Sequence, residues 1–341
     1  VREIVNIFST DNYIAPSSFL IQSTKLAAEL VNMGYEVHSH NIYTKEDVKK
    51  ADYNIYVPWH YSVTYKNLHI RPPYSNESFP DKSKLDFDLI PDSTLVGICD
   101  KEDLDNVVRE KVIQKNYKKF IVSSKMQDKI FHLPNTKVIP WTVNPEIVTY
   151  KKFLEIDKDV PIVFIDGHTD YLRRGIDVSF KVLDALYNEG YKFGVVVHQW
   201  GNEFTLGDRP YTVKMFNGFL SDYVYYGILA SCTHFLSPLR GGSFEILTLE
   251  ALALGLTVVI PENSPSSEIP LRKDDVYWCR YNGNKIKTWE NIFHKGGMND
   301  IDYESTLEAM RKALEKPKVI DNYSYLSHYS MRKWAKEYLS D

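Results

Sequence analysis

The stretch "RGGSFEILTLEALALGLTVVIPE", Arg240 to Glu262, puts a carboxylate where helical periodicity asks for an apolar side chain. If Phe244 to Leu254 forms a helix, Ile246, Glu250 and Ala253 share one face, with Leu249 and Leu252 beside it. A charge on the apolar side of a helix needs hydrogen-bond donors. The strand-like run "THFLSP" precedes the stretch and "LTVVIP" lies within it, so the sequence reads strand, loop, helix, strand. In the loop, Gly241 and Gly242 let the backbone approach a ligand, and the helix N-terminus offers N–H groups to an anion; a tight turn explains the two glycines equally well. Ribose hydroxyls would supply the donors Glu250 requires. The alternative is a half-exposed glutamate at the edge of the stripe.

The same alternation extends in both directions. "REIVNIFS", the helical "SSFLIQSTKLAAELVNMG" ending at Gly34, and "YEVHSH" make one βαβ unit. "YNIYVP", "TLVGIC" and "KKFIVSS" continue as strands, with "DLDNVVREKVIQKN" as a helix between the last two. After the proline-marked "VIPWTVNPEIV" the pattern restarts with "PIVFIDG", the helix "GIDVSFKVLDALYNEG", "YKFGVVVHQ" and "YTVKMFNGF". This is an α/β chain of two Rossmann-like, doubly wound domains, 1–147 and 148–319. Residues 320–341 contain an amphipathic helix, "YSYLSHYSMRKWAKEYL", expected to return to the first domain. Ligands of such folds bind at the carboxyl ends of the strands, which places a two-domain site in the cleft.

Composition narrows the class. The 341 residues exceed one ordinary core, and a formal net charge of -4 with 43% hydrophobic and 25% charged residues gives no reason to expect a nucleic acid. Cys99, Cys232 and Cys279 have no metal-type spacing and are too few for a disulfide framework, which fits a reducing, cytoplasmic setting. No signal peptide is visible, and no apolar run approaches the roughly 18 residues of a membrane span.

"SPLRGGSFEILTLEALALGLTVVIPENSPSSEI" resembles the signature of retaining GT-B glycosyltransferases of the glycogen-synthase-like group 1 (GT4) family, P-S-x-x-E-G-F-G-L-P-x-L-E-A-x-A-x-G-x-P-V-V. Pro238, Phe244, Leu249, Glu250, Ala251, Ala253, Gly255, Val258 and Val259 fall in register. The resemblance implies GT-B architecture, a UDP-, GDP- or ADP-sugar as donor, a ribose role for Glu250, and a diphosphate held by the backbone of Gly241, Gly242, Ser243 and Phe244, with no metal and no further cofactor. "GHTDYLRRGIDVSFKVLDAL" is similar to the family's G-R-x5-K-G segment. Gly167, Arg174 and Gly175 fit it, and His168 stands where an arginine is expected. Independently, the cation doublet Arg173 and Arg174 between a strand end and a helix is what an anionic leaving group requires, although a solvated basic turn would look the same. "FNGFLSDYVYYGILASCTHFLSP" resembles the family's run around the nucleotide base, and Ser17 and Ser18 replace a glycine pair of its N-terminal phosphate or acceptor loop.

The departures are as informative. The family's E-x7-E motif has its first Glu eight residues before the second, and here that position is Gly242. Either Glu245 substitutes as the sugar-facing catalytic carboxylate, or the site handles its sugar differently. The family's N-terminal histidine beside the donor sugar corresponds to His60 in "NIYVPWHYS", which reads equally as a packed or surface residue. Asp86 and Asp88 in "LDFDLI" have the spacing of a metal-binding D-x-D, but the stretch reads as a solvated loop. Acceptor classes left open are a glycan, a lipid-linked sugar or a protein. Eight basic residues against two acidic ones between Arg109 and Lys137 would suit an anionic inner-membrane surface, or equally a solvated helix face. A sugar-nucleotide epimerase of the same fold and a noncatalytic nucleotide-sugar-binding protein remain as alternatives to a transferase.

Overall fold

Short β-branched runs fall into two separate parallel sheets of six strands each. In this computed structural model the described residues are 2–9, 18–41, 50–57, 63–65, 68–70, 85–87, 92–96, 103–104, 110, 114, 117–150, 152, 154, 160–167, 171–199, 207–242, 244–286, 294–295 and 298–340. The chain divides into one unit of Val1–Thr142, Lys287–Gly297 and Tyr329–Asp341, and another of Val143–Ile286 and Met298–His328.

The first unit contains β1 (Ile4–Ser9), α1 (Ser18–Asn32), β2 (Glu36–Asn41), β3 (Tyr53–Val57), β4 (Val63–Tyr65), β5 (Leu68–Ile70), β6 (Leu85–Phe87), β7 (Thr94–Val96), β8 (Asp103–Leu104), β9 (Lys119–Val122), α2 (Lys125–Phe131) and β10 (Thr136–Val138). Its main sheet has the order β10-β9-β7-β3-β1-β2. Ser124 caps α2 by accepting from Gln127 N.

The second unit contains β11 (Ile162–Asp166), α3 (Ile176–Asn188), β12 (Gly194–Gln199), β13 (Val213–Asn217), α4 (Asp222–Ser231), β14 (His234–Leu236), α5 (Ile246–Ala253), β15 (Thr257–Pro261), β16 (Val276–Cys279) and β17 (Tyr281–Ile286). The chain then supplies β18 (His294–Lys295), which pairs with β8 in the first unit, before β19 (Met298–Ile301), α6 (Tyr303–Glu315) and α7 (Asn322–His328) complete the second. The sheet order is β13-β12-β11-β14-β15-β16. β11 and β15 are buried along their whole length, as strands covered on both faces must be. α3 buries Ile176, Phe180, Leu183 and Val182 at helical spacing, each worth about 1.5–3 kcal/mol when fully removed from water. Last comes α8 (Met331–Leu339), packed on α1 in the first unit.

Several elements differ from the sequence reading. The C-terminal amphipathic pattern is two helices, because Ser330 is extended (φ -77°, ψ 142°) and starts α8 afresh. α7 buries Tyr325 in the second unit while α8 buries Met331, Ala335, Tyr338 and Leu339 in the first. The helix containing Glu250 begins at Ile246 rather than Phe244. Asp103 and Leu104 pair with His294 and Lys295 as strand, although Gln114 N donating to Glu110 O is a helical bond. Asp86 lies in β6, opposite Thr64 of β4, not in a loop, and Asp88 lies outside the described residues. Cys232 and Cys279 are buried free thiols, and burial pushes the Cys279 thiol up to about 12. No helix among the described residues is long and apolar enough to cross a membrane.

Candidate functional site

β11 is the turning point of the second sheet: β12 and β13 build outward on one side of it, β14, β15 and β16 on the other. Physical precedent puts the ligand crevice of an open parallel sheet at the carboxyl ends of the two strands flanking such a point. The chain leaves those ends at Asp166 and Leu236, so the loops before α3 and α5 carry the site.

The two loops are stitched together. Gly175, at the start of α3, has φ 67°, and a Cβ there would stand 2.1 Å from the Pro238 carbonyl oxygen, so only glycine permits this approach. Arg240 N donates to Arg173 O at 2.9 Å. The Arg240 guanidinium donates to Leu172 O at 2.7 Å, forks onto Asp177 at 2.6 and 2.8 Å, and reaches Asp300 at 2.9 Å. Burial opposes the charge of Arg240, but Asp177 and Asp300 outweigh it and hold its pKa above the ordinary value. Asp177, Asp300, Asp302 and Glu304 line a cavity of about 500 Å³ beside Arg240, which makes that cavity hostile to a phosphate.

Arg174 sits in a different setting. Its Nη1 donates to Glu245 Oε2 at 2.5 Å and lies 3.1 Å from Asp166 Oδ2, with all three side chains nearly buried. Glu245 is the N-cap residue of α5, yet its side chain makes no capping bond. Instead the carboxyl folds back over Gly242, where a Cβ would meet Glu245 Oε1 at 2.3 Å. The space that a side chain at 242 would need is filled by Glu245. Arg173 donates to Gly241 O at 3.4 Å.

Glu250 is 5% exposed, not half-exposed at the stripe's edge. Its face of α5 meets α4, where Tyr226 donates to Oε1 at 2.7 Å and Tyr225 to Oε2 at 3.3 Å. Burial and then the Glu250 charge push both phenols up, so they stay protonated donors. Tyr226 stacks on Tyr150 with centroids 5.3 Å apart, and Tyr225 meets His198 edge-on at 5.5 Å. The His198 ring bonds Gly218 O at 3.1 Å, at the carboxyl ends of β12 and β13.

Thus Arg173, Arg174, Gly241, Gly242, Phe244, Glu245 and Glu250 all lie in one unit on the loops and helices around one turning point, and Gly167 follows β11 directly. Ser17, His60, His168 and Ser243 lie outside the described residues, and Ser18 opens α1. Of the basic stretch from 109 to 137, Lys119 is buried and donates to Glu337 O at 3.1 Å, and Lys137 pairs with the Glu337 carboxylate. These two cations hold α8 rather than face a membrane. Among the described residues, no group of three His, Cys, Asp or Glu side chains is placed to hold a metal ion. Asp166, Arg240 and the tyrosine pair were not anticipated as site residues, although Asp166 closes "PIVFIDG" just before Gly167 and the tyrosines fall inside the base-site stretch.

No family model matches the chain. A protein named putative glycosyltransferase 45, from Sulfolobus islandicus filamentous virus (isolate Iceland/Hveragerdi), is 29% identical over 344 residues, covering 94% of this chain and 90% of its own. Among solved structures, a glycosyltransferase from Rickettsia africae ESF-5 matches with a TM-score of 0.64 at 10% identity, over 100% of this chain and 99% of that one. The pneumococcal O-GlcNAc transferase GtfA, solved with UDP and GlcNAc, matches with a TM-score of 0.50 at 12% identity, over 73% of this chain and 53% of that one. With two parallel six-stranded α/β units and these structural neighbours, the chain has the GT-B glycosyltransferase fold.

Proposed function

We propose that the protein is a glycosyltransferase of the glycogen-synthase-like group 1 type that moves a sugar from a UDP-, GDP- or ADP-sugar to an acceptor hydroxyl, with retention and without a metal. The observation that carries this reading is a nearly buried guanidinium, Arg174, on the loop leaving the turning-point strand, in the same unit as a buried carboxylate, Glu250, fixed by two neutral donors. Breaking the bond between sugar and diphosphate builds negative charge on the departing phosphate, and a fixed guanidinium stabilises that charge more than the ground state. Arg173 and Arg174 supply the positive charge that a metal supplies elsewhere. A carboxylate offers about four lone-pair positions, so the bonds from Tyr225 and Tyr226 do not by themselves exhaust Glu250 as an acceptor for ribose hydroxyls. The UDP and GlcNAc bound by the pneumococcal neighbour support this donor class. His60 and the acceptor, whether glycan, lipid-linked sugar or protein, belong to the remaining half of the chemistry.

The test is to incubate the protein with each nucleotide sugar, with and without candidate acceptors, in the presence and absence of EDTA. The expected result is release of nucleoside diphosphate that depends on an acceptor hydroxyl and survives EDTA. Turnover of the donor with no acceptor would favour the epimerase, and binding with neither transfer nor hydrolysis would favour a noncatalytic binder; either overturns the proposal.

A further inference from the structure

Arg174 is occupied in a way that a diphosphate site should not be. Two carboxylates, Glu245 and Asp166, converge on its Nη1 at 2.5 and 3.1 Å, so the three groups together carry one net negative charge. The nitrogen that a diphosphate would take is thus already held by carboxylates, and a phosphate oxygen reaches it only if one of them leaves. Which one leaves follows from how each is held. Asp166 is the last residue of β11, in register with His198 of β12, and the next amide, Gly167 N, donates to His198 O at 2.8 Å. Its backbone is fixed at the end of the sheet's central strand, so its carboxylate has only a short side chain on which to move. Glu245 precedes a helix of 8 residues, follows the two glycines of the loop, caps nothing with its side chain, and has Arg174 as its hydrogen-bonding partner among the described residues. It lies over Gly242 only because that residue has no Cβ.

Resting on the nucleotide-sugar reading above, we infer that Glu245 is a stand-in for the donor diphosphate. It neutralises Arg174 in the empty enzyme, gives that cation up to the phosphate when the donor binds, and recaptures it after transfer to expel the nucleoside diphosphate. Asp166 stays bonded throughout. The exchange trades one charge-assisted bond for another of the same kind, so it keeps product affinity modest without weakening the stabilisation of the breaking bond, where phosphate charge is greatest. Released from Arg174, the Glu245 carboxylate needs donors, and the hydroxyls of the sugar attached to that diphosphate are the nearest the reaction itself provides. This accounts for glycine at 242: a side chain there would block the folded-back position.

Calorimetric titration of UDP, GDP and ADP into the full chain tests the exchange. Glu245→Gln is expected to bind the preferred nucleoside diphosphate about tenfold more tightly than the unmodified chain, because a neutral amide competes poorly for a guanidinium. The gain should vanish when Arg174→Ala is combined with it. Unchanged or weaker binding by a folded Glu245→Gln variant overturns the inference. Should that variant not fold, crystals of the unmodified chain soaked with the diphosphate decide: Arg174 Nη1 on a phosphate oxygen with Glu245 withdrawn supports it, and Arg174 still on Glu245 refutes it. Failure of every nucleotide to bind both the unmodified chain and Glu245→Gln would bring down the nucleotide-sugar reading, and the inference with it. Binding by the unmodified chain together with no gain in the variant would sink the inference alone.

Discussion

Two arginines of the second unit, Arg174 and Arg240, each face two carboxylates, and they do opposite jobs. Arg240 spreads its nitrogens: a fork on Asp177, a bond to Asp300 and another to a backbone carbonyl, with a side-chain exposure of 5%. Arg174 brings Glu245 and Asp166 to the same nitrogen, and Glu245 is folded over a glycine. Spread bonds satisfy a cation permanently and lock two loops together. Converging bonds leave a cation that a stronger anion can take over. On the proposed reading, the difference separates the cation that shapes the site from the one that works in it.

That contrast breaks first at Arg174. Arg174→Ala is expected to lower turnover by about 100- to 1,000-fold, the usual cost of removing one donor to a developing anion, and to cost stability as well, because Asp166 and Glu245, each 10% exposed, lose their cation. Arg173→Ala should do less, since its hydrogen bond to Gly241 O is long, at 3.4 Å. Arg240→Met should cost stability with a much smaller loss of turnover. It leaves Asp177 and Asp300 facing a half-apolar gap, and the expected loss is about 3 kcal/mol of unfolding free energy, at the low end for a buried pair because both acids retain some water contact. Urea denaturation and turnover measured on the same samples separate the two. A loss of turnover from Arg240→Met as large as that from Arg174→Ala would mean that the two cations do not divide the work in this way.

A smaller effect is expected at Glu250. Glu250→Ala removes the acceptor of two tyrosine hydroxyls as well as of ribose, so nucleotide binding should weaken by about 1–3 kcal/mol and stability should fall too. Tyr226→Phe isolates the positioning part: about 1 kcal/mol of stability, with a larger loss than Tyr225→Phe because its bond is 2.7 Å against 3.3 Å. Nucleotide affinity unaffected by Glu250→Ala in a folded protein would remove the ribose role and leave a glutamate that serves only to anchor α4.

How much of this the sequence showed depends on whether the partners are near in the chain. Most of the sheet strands announce themselves as apolar runs such as "PIVFIDG", because a strand covered on both faces buries mostly apolar side chains. The oddity of Glu250 was visible too, since a charge on an apolar helical face is a local anomaly. Its donors were not, because they come from α4, 24 and 25 residues away, and nothing in "SDYVYYG" says which way a tyrosine points. Glu245 read as a substitute for the missing sugar-facing carboxylate. Its capture by Arg174 depends on a contact across 71 residues and on room left by Gly242. The terminal helix read as one because its apolar stripe is continuous, and it splits because the two halves bury that stripe in different units.

The smallest expected effect separates the rivet from the core by pH. His234 of β14 is buried, its Nε2 bonded to Ala313 O at 3.0 Å, and burial holds its pKa below the ordinary 6.5 despite that bond. The unfolded chain therefore takes up a proton near 6.5 while the folded one does not, so stability is full above that pH and falls as the solution is acidified from 6.5 toward the lowered folded value. Asp300, in the Arg240 cluster, works lower on the scale. Burial opposes its charge, but bonds from Asn282, Arg240 and Ile301 N outweigh burial and bring its pKa below the ordinary 3.8. Its contribution is present above 3.8 and is lost as pH falls through the lower folded value. Urea midpoints taken across this range should therefore drop in two separate windows. His234→Gln should flatten the upper one only, and Arg240→Met should flatten the lower one only. A loss of the upper window in Arg240→Met would show that the Arg240 cluster and the β14 core open together, and that the stitch between the two loops carries the stability of the whole second sheet.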